Sequence, residues 1–231
     1  MKTIIFDCVP STNDELKKLK NPTEDVLMIA REQSKGRGSK GRSFSCERGG
    51  AYLSLLRLRP CAAKDAFSIM ITAATAVVRT LAAFDIKAAI KWPNDVFVGE
   101  KKICGILIEN VFEGELVARS ITGIGVNLNN PLPDELKDKA ISAKEILGRE
   151  VDVDVFAATL AYNLYQNYTI EEYRENLCCL NKKLTILKNG DAFEAVANSD
   201  GERDQSLKLR VRDAVLAELE NVSRENLEAA L

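Results

Sequence analysis

The sequence predicts an α+β fold: a mixed or predominantly antiparallel central sheet with packed helices over residues 1–180, then a small β domain over residues 181–231. Three observations carry this. Strand-like runs flank a glycine-rich stretch in the first part of the chain. One long helical pattern, Ala63 to Phe84, separates them from three further strand-like runs. From Asn181 the pattern changes to short strands such as KLTILKNG and AFEAVANS, with no low-complexity linker before them.

Each element has a local reason. Thr3 to Val9 alternates as a half-buried strand should, Pro10 stops it, and Ser11 offers an N-cap for a helix reaching about Leu19. Asp25 to Gln33 reads as the second strand, with Val26, Met28 and Ala30 on one face. Tyr52, Leu53, Leu55, Leu56 and Leu58 mark a third, ended by Pro60. In the long helix Phe67, Ile71, Ala74, Val78 and Leu81 recur at three- and four-residue spacing, which makes one apolar face. AAIKWPNDVFV, KKICGILIENVF and LVARSITGIGVNLN read as strands, and residues 142–177 hold two helical patterns.

Composition narrows the chemistry. Hydrophobic residues at 46% and charged residues at 29% describe a packed globular protein. A net charge of −2 gives no global field to gather a polyanion, so any anion must be met by local cations. The chain has no histidine, which removes Ser-His-Asp and Cys-His nucleophiles and disfavours zinc. Its 6 cysteines form no C-x-x-C pair, so a reducing compartment fits, and Cys104 within ICGIL reads as buried and inert. MKTIIFDCVPSTNDEL carries acids and no sustained apolar run, and Ala66 to Val78 is too short to span a bilayer. The expectation is a cytoplasmic protein without membrane or DNA contacts.

REQSKGRGSKGRSFS, residues 31–45, matches two phosphate-binding patterns at once. Gly36, Gly38 and Gly41 have dinucleotide-fold spacing, and Gly36 to Ser43 reads as a P-loop with Arg42 in the lysine position. Both patterns require the loop to open a helix, but this one opens into SFSCERGGAYLSLL, a strand. What remains is a basic, glycine-rich loop between strands, either a solvated hairpin or a wrap around an anion. KWPND at 91–95 breaks a strand at Pro93 and puts Asn94 and Asp95 at the break, a turn unless it is a site. Gly99-Glu100 reads as a hairpin tip that folds Lys102 back toward Asp95. In GIGVN, residues 123–127, two glycines interrupt a strand, which it tolerates where it bulges or where something approaches the backbone closely.

Taken together, STN at 11–13, Q-x-x-GRG-x-x-GR at 33–42, KWPND at 91–95, K-x-x-G-I-L at 102–107 and G-x-G-x-N at 123–127 resemble the biotin protein ligases of the monofunctional type. The resemblance covers residues 1–180. It implies a catalytic domain of the class II aminoacyl-tRNA synthetase and biotin ligase type, shared with lipoate ligases, and an SH3-like C-terminal β-barrel. It also implies two steps: biotin and ATP give biotinyl-5'-AMP and pyrophosphate, then biotin passes to a lysine of a biotin carboxyl carrier protein. That carrier belongs to acetyl-CoA carboxylase or another biotin-dependent carboxylase.

The same resemblance assigns residues. Ser11, Thr12, Asn13 and Gln33 are implied at the biotin ureido ring, with Phe44 and Tyr52 as aromatic walls. Gly36, Arg37, Gly38 and Ser39 contribute the loop side of the biotin site. Gly123 and Gly125 are implied to give the ring close access to a strand, and Gly105 is implied at the biotin site. Lys102 is implied to hold the biotin carboxylate, Arg37 to bridge it to the phosphate, and Asp95 to orient the carrier lysine or accept its proton; these three form the catalytic set. Arg37, Arg42, Asn94, Asp95 and Asn127 are implied on the ATP side. Mg²⁺ is expected as counter-ion of the triphosphate, held by phosphates and water, with no metal site in the protein. A monomer or homodimer without a DNA-binding module, and hence no repressor, is expected. The loop departs from the family at Ser39, where an arginine is common. A lipoate or octanoate ligase on the same fold is the nearest alternative, although its R-R-x-x-G-G-G segment is absent. A nucleic-acid module using the basic loop, and a biotin binder without turnover, stand further off.

Overall fold

Eight strands of the computed structural model lie in one mixed sheet with helices on both faces. Residues 1–178, 183–188 and 191–196 are described, and the chain divides into two compact units, Met1–Cys178 and Cys179–Leu231. In chain order the first unit contains β1 (Lys2–Val9), α1 (Thr12–Lys17), β2 (Val26–Gln33), β3 (Ala51–Arg57), β4 (Cys61–Ala62) and α2 (Phe67–Ala83). These are followed by β5 (Ala89–Lys91), β6 (Asp95–Val98), β7 (Lys101–Glu113) and β8 (Leu116–Val126), then α3 (Ala143–Leu147), α4 (Val153–Asn163) and α5 (Ile170–Glu175). The sheet runs β1-β2-β3-β8-β7-β6-β5, with β4 against β8. The first pair is parallel and the others antiparallel, the mixed sheet that the sequence predicts.

Alternation along the strands separates two apolar layers. Leu27 and Ile29 of β2, Leu53 of β3, Ile106 of β7 and Ile124 of β8 face one way and join α2 and α4 in the main core. Val26 and Met28 face the other way and pack with Leu56, Ile121 and Leu16 of α1. Helix α2 is buried on more than the predicted stripe: Ala73, Ala76 and Val77 are also inaccessible. Sandwiching between the sheet and α4 and α5 explains this, since a helix covered on two sides needs small apolar residues beyond a single face. By length and composition Ala63–Ala83 could cross a membrane, but here it forms the centre of this core.

Two elements differ from the sequence reading. AAIKWPNDVFV is two strands and not one: KWPND ends β5 at Lys91, as its sequence predicts, and reverses the chain into β6, with Lys91 opposite Asp95 and a cis Trp92–Pro93 bond. Pro93 has no N–H to continue the ladder, so the chain turns and pairs with itself. Residues 142–177 hold three helices, each opened by its own cap: Ser142 with Glu145, Asp152, and Thr169 with Glu172. In the second unit β9 (Lys183–Lys188) and β10 (Asp191–Val196) form an antiparallel pair. The rest of the SH3-like domain expected over 181–231 lies outside the described residues.

Leu81 is fully buried in α2. Leu81→Ala is expected to lower unfolding free energy by about 2–5 kcal/mol in urea titration, because the surrounding sheet and helices cannot collapse into the void.

Candidate active site

Period-two alternation decides what the sheet presents toward α1. In register across β3, β8 and β7 that face carries Ser54, Gly123 and Leu107, and beside them Tyr52, Gly125 and Gly105. Three of the six are glycines, so the sheet is low here and other groups descend onto it. A Cβ on Gly123 would lie 2.3 Å from Asn13 Oδ1, and one on Gly125 would lie 2.7 Å from the Phe44 ring. At Gly105 it would lie 3.1 Å from Lys102 Nζ and from the Phe44 ring. The close approach inferred from GIGVN is therefore made by the protein's own Asn13 and Phe44, where ring access for a ligand was expected.

A cavity of about 600 Å³ opens on this face. Ser11, Thr12, Asn13 and Gln33 line one part, next to Gly123; Lys102, Asn94, Asp95 and Asn127 line another, beyond Gly105. Arg37, Gly38, Ser39, Arg42 and Phe44 reach it from the glycine-rich loop. Two predicted residues do not line it. Gly36 packs against Phe44 and Cys46, where a Cβ would stand 2.3 Å from the Phe44 carbonyl oxygen. Tyr52, expected as a wall, is fully buried, and its hydroxyl donates to the Glu47 carbonyl at 2.6 Å. Its position opposite Gly125 puts it on the correct face, but it serves to support the floor.

The STN end is a closed network. Thr12 donates to Gln33 Oε1 twice, from its N–H at 2.7 Å and its hydroxyl at 3.0 Å. The Ser54 hydroxyl lies 2.6 Å from both Thr12 Oγ1 and Asn13 Oδ1. Asn13 Nδ2 donates to Glu109 Oε2 at 2.8 Å, and Gln33 Nε2 donates to Cys46 Sγ at 2.9 Å. Burial pushes the Cys46 thiol up to about 12, so it stays a neutral acceptor. Ser11 accepts from the Asp14 N–H and caps α1, as its position in the sequence predicts.

The cations are already paired. Lys102 Nζ lies 2.6 Å from Asp95 Oδ1 and 5.6 Å from the Phe44 ring centroid, so the β6–β7 hairpin does bring Lys102 back to Asp95. Arg37 pairs with Asp14 and, at 3.0 Å, with Glu109. Arg42 bonds within the loop to Ser39, through Oγ at 3.2 Å and the carbonyl at 3.3 Å. Asn94 Nδ2 donates to the Ile106 carbonyl at 2.9 Å, fixing the KWPND reversal to β7. Asn127 Oδ1 accepts from Asn130 at 3.3 Å.

Sequence reasoning missed Ser54, Glu109, Asp14 and Lys17. The signals were slight: one hydroxyl inside AYLSLL, and a carboxylate two residues past Leu107 on the same strand face. Glu109 is held below the usual carboxylate range. Burial alone would raise it, but bonds from Lys17 and Asn13 and the charges of Lys17 and Arg37 outweigh that.

Residues 5–127 match the Biotin/lipoate A/B protein ligase family, and the chain belongs to that family. It is 36% identical over 156 residues to the bifunctional ligase/repressor BirA of Bacillus subtilis (strain 168), a match covering 64% of this chain and 48% of the relative. It is also 36% identical over 128 residues to the biotin--[acetyl-CoA-carboxylase] ligase of Paracoccus denitrificans, covering 51% of each. The chain thus spans about half the length of the curated relatives it matches. Among solved structures it is similar to the biotin protein ligase from Aquifex aeolicus in complex with biotin and ATP. That similarity has a TM-score of 0.69 and 26% identity, over 84% of this chain and 86% of that one.

Two outcomes follow for the network. Gly123→Ala must displace the Asn13 amide from Ser54 and Glu109, and is expected to cost about 1–3 kcal/mol in denaturant unfolding. Because the Glu109 pKa is lowered by folding, its stabilising contribution is present above the ordinary carboxylate range and lost as pH falls through the lowered value. The stability gap between wild type and Glu109→Gln should therefore shrink on acidification from pH 7. A gap that stays constant into strong acid would show that the charge of Glu109 is not its source.

Proposed function

We propose that this chain is a biotin protein ligase, activating biotin with ATP as biotinyl-5'-AMP and transferring it to a lysine of a biotin carboxyl carrier protein. One observation carries the reading: Lys102 and Arg37, from different elements, line the same cavity as the donors and acceptors of Ser11, Thr12, Asn13 and Gln33. A ureido ring needs such a mixed set within apolar walls, and two anions need cations between them. Similarity to a biotin ligase bound to biotin and ATP supports the same pair of ligands, and similarity to an acetyl-CoA-carboxylase ligase supports the carrier.

In the first step a biotin carboxylate oxygen attacks the α-phosphorus of ATP, and the bond to the bridging oxygen breaks, so pyrophosphate leaves with its electron pair. Unscreened, the two anions would repel. Lys102 exchanges Asp95 for the biotin carboxylate, while Arg37 meets the phosphate. Asn94, Asp95 and Asn127, with Arg42, take the nucleotide side, and Mg²⁺ enters on the triphosphate. Among the described residues no three His, Cys, Asp or Glu side chains gather to hold a metal. In the second step the neutral carrier amine attacks the acyl carbon, AMP leaves, and an amide forms. A lysine of pKa near 10.4 must lose a proton to do this. We assign to Asp95, once Lys102 has turned to the biotin carboxyl group, the role of orienting that amine or taking its proton.

Incubation with biotin, α-labelled ATP, Mg²⁺ and a biotin carrier domain tests the reading. Biotin-dependent pyrophosphate release together with labelled carrier is expected. Release with lipoate alone would make it a lipoate ligase, and binding without release a non-turnover biotin protein. Lys102→Ala and Arg37→Ala should each lower adenylate formation by roughly 10- to 150-fold, the equivalent of about 1.5–3 kcal/mol per charge-assisted bond. Their unfolding midpoints should stay near wild type, and near-normal turnover in either would remove its assigned role.

A further inference from the structure

Arg37 faces a competition. As a phosphate ligand it must leave Asp14 and Glu109, and a lone departure would strand two carboxylates beside an arriving anion. Glu109 is poorly placed for this, since only 23% of its side chain is exposed. A second cation is already present. Lys17, one turn along α1 from Asp14, has Nζ 3.3 Å from Asp14 Oδ1 and 2.7 Å from Glu109 Oε1. Arg37 contacts these same two oxygens. The other Glu109 oxygen is kept by Asn13 Nδ2 at 2.8 Å.

We propose that Lys17 is a positioning residue for Arg37: by sharing both of its carboxylate oxygens, Lys17 loosens Arg37 and keeps Asp14 and Glu109 neutralised when Arg37 turns to an anion. The inference rests on the ligase reading for the identity of that anion, the phosphate of ATP or the adenylate. Sharing has two consequences. While Arg37 is paired, two adjacent cations divide the attraction of the same oxygens, so neither is held as firmly as it would be alone. When Arg37 swings away, Lys17 need not move far to hold both carboxylates, and the Asn13 amide keeps its orientation because Oε2 of Glu109 is undisturbed. Lys17 itself touches no part of the reacting atoms.

Lys17→Met keeps the aliphatic stem of a half-exposed helical residue and removes the charge. In biotin-dependent pyrophosphate release it is expected to raise KM for ATP about fivefold, the upper range for one surface ion pair, with KM for biotin changed less than twofold. Adding Glu109→Gln should return KM for ATP toward wild type, because Arg37 loses a competing anion while the amide oxygen still accepts from Asn13. A merely structural lysine would show no such rescue. A second readout needs no turnover: trypsin cleavage after Arg37 in the ligand-free protein should be slower in Lys17→Met than in wild type, and faster in Glu109→Gln. Wild-type protein without biotin-dependent pyrophosphate release would overturn the ligase reading, and the cleavage rates would still decide the role of Lys17. Unchanged KM for ATP and cleavage in Lys17→Met, or a double variant no better than the single one, would overturn the inference.

Discussion

Three glycines on adjacent strands, Gly105, Gly123 and Gly125, determine where the other groups of the site stand. Gly105 and Gly125 face one another across the β7–β8 ladder, Gly123 faces Leu107 beside them, and β8 is paired on its other side with β3, so the backbone there cannot move aside for a side chain. The underside is equally fixed, because Ile106 and Ile124 between them point into the core beneath α2. The only adjustable side is the upper one, and there the missing Cβ atoms let Asn13 and Phe44 come down to the sheet. Once Asn13 is seated, Ser54 and Glu109 lock it from both ends. Thr12 and Gln33 follow through the same chain of bonds.

Above this floor, charge governs the arrangement. A partly buried cation costs free energy unless paired, and Lys102 of β7 has Asp95 of β6; the exposed Arg37 of the loop is held by Asp14 of α1 and Glu109 of β7. The pairs order the ligand-free cavity and at the same time oppose an incoming anion, so affinity is a difference between two sets of contacts. They also tie elements together. An anion that takes Arg37 from Asp14 and Glu109 relaxes the link between loop and helix, while one that takes Lys102 frees a carboxylate at the mouth of the same cavity.

The parts of this arrangement legible in the sequence were those set by neighbours along the chain. Pro10 and Ser11 announced the end of β1 and the cap of α1; the strand after the glycine-rich loop excluded both helix-opening phosphate motifs; Gly99 at a hairpin tip carried Lys102 back to Asp95. What was not legible depends on register between distant strands. Glu109 reaches Asn13 across 96 positions, and nothing local distinguishes it from any carboxylate late in a strand. Tyr52 illustrates the converse, since the resemblance implies a wall and the residue is fully buried: whether an aromatic residue lines a cavity or lies beneath it depends on what packs above. In KWPND the strand break and the turn were legible, but not that the two arms of AAIKWPNDVFV pair with each other, because a proline shows that a ladder stops without showing which strand the chain joins next.

The glycine-rich loop reconciles the two readings its sequence left open. Its backbone does form a hairpin: Phe44 N–H donates to the Gly36 carbonyl at 3.0 Å and Gly38 N–H to the Arg42 carbonyl at 2.6 Å. The base is anchored further by bonds from Ser34 and Lys35 to Val9 and Pro10, and by Phe44 lying over Gly125. The tip is different. Gly41 has φ of +70° with open space around its Cβ position, and Arg42 reaches only back to Ser39. A hairpin with a fixed base and a free tip can hold the Asn13 and Phe44 part of the cavity constant while its outer residues adapt to what arrives. Selection by shape therefore belongs to the floor and the STN network. The loop tip and Arg37 contribute charge, which tolerates a change of position far better than a hydrogen-bonded ring does.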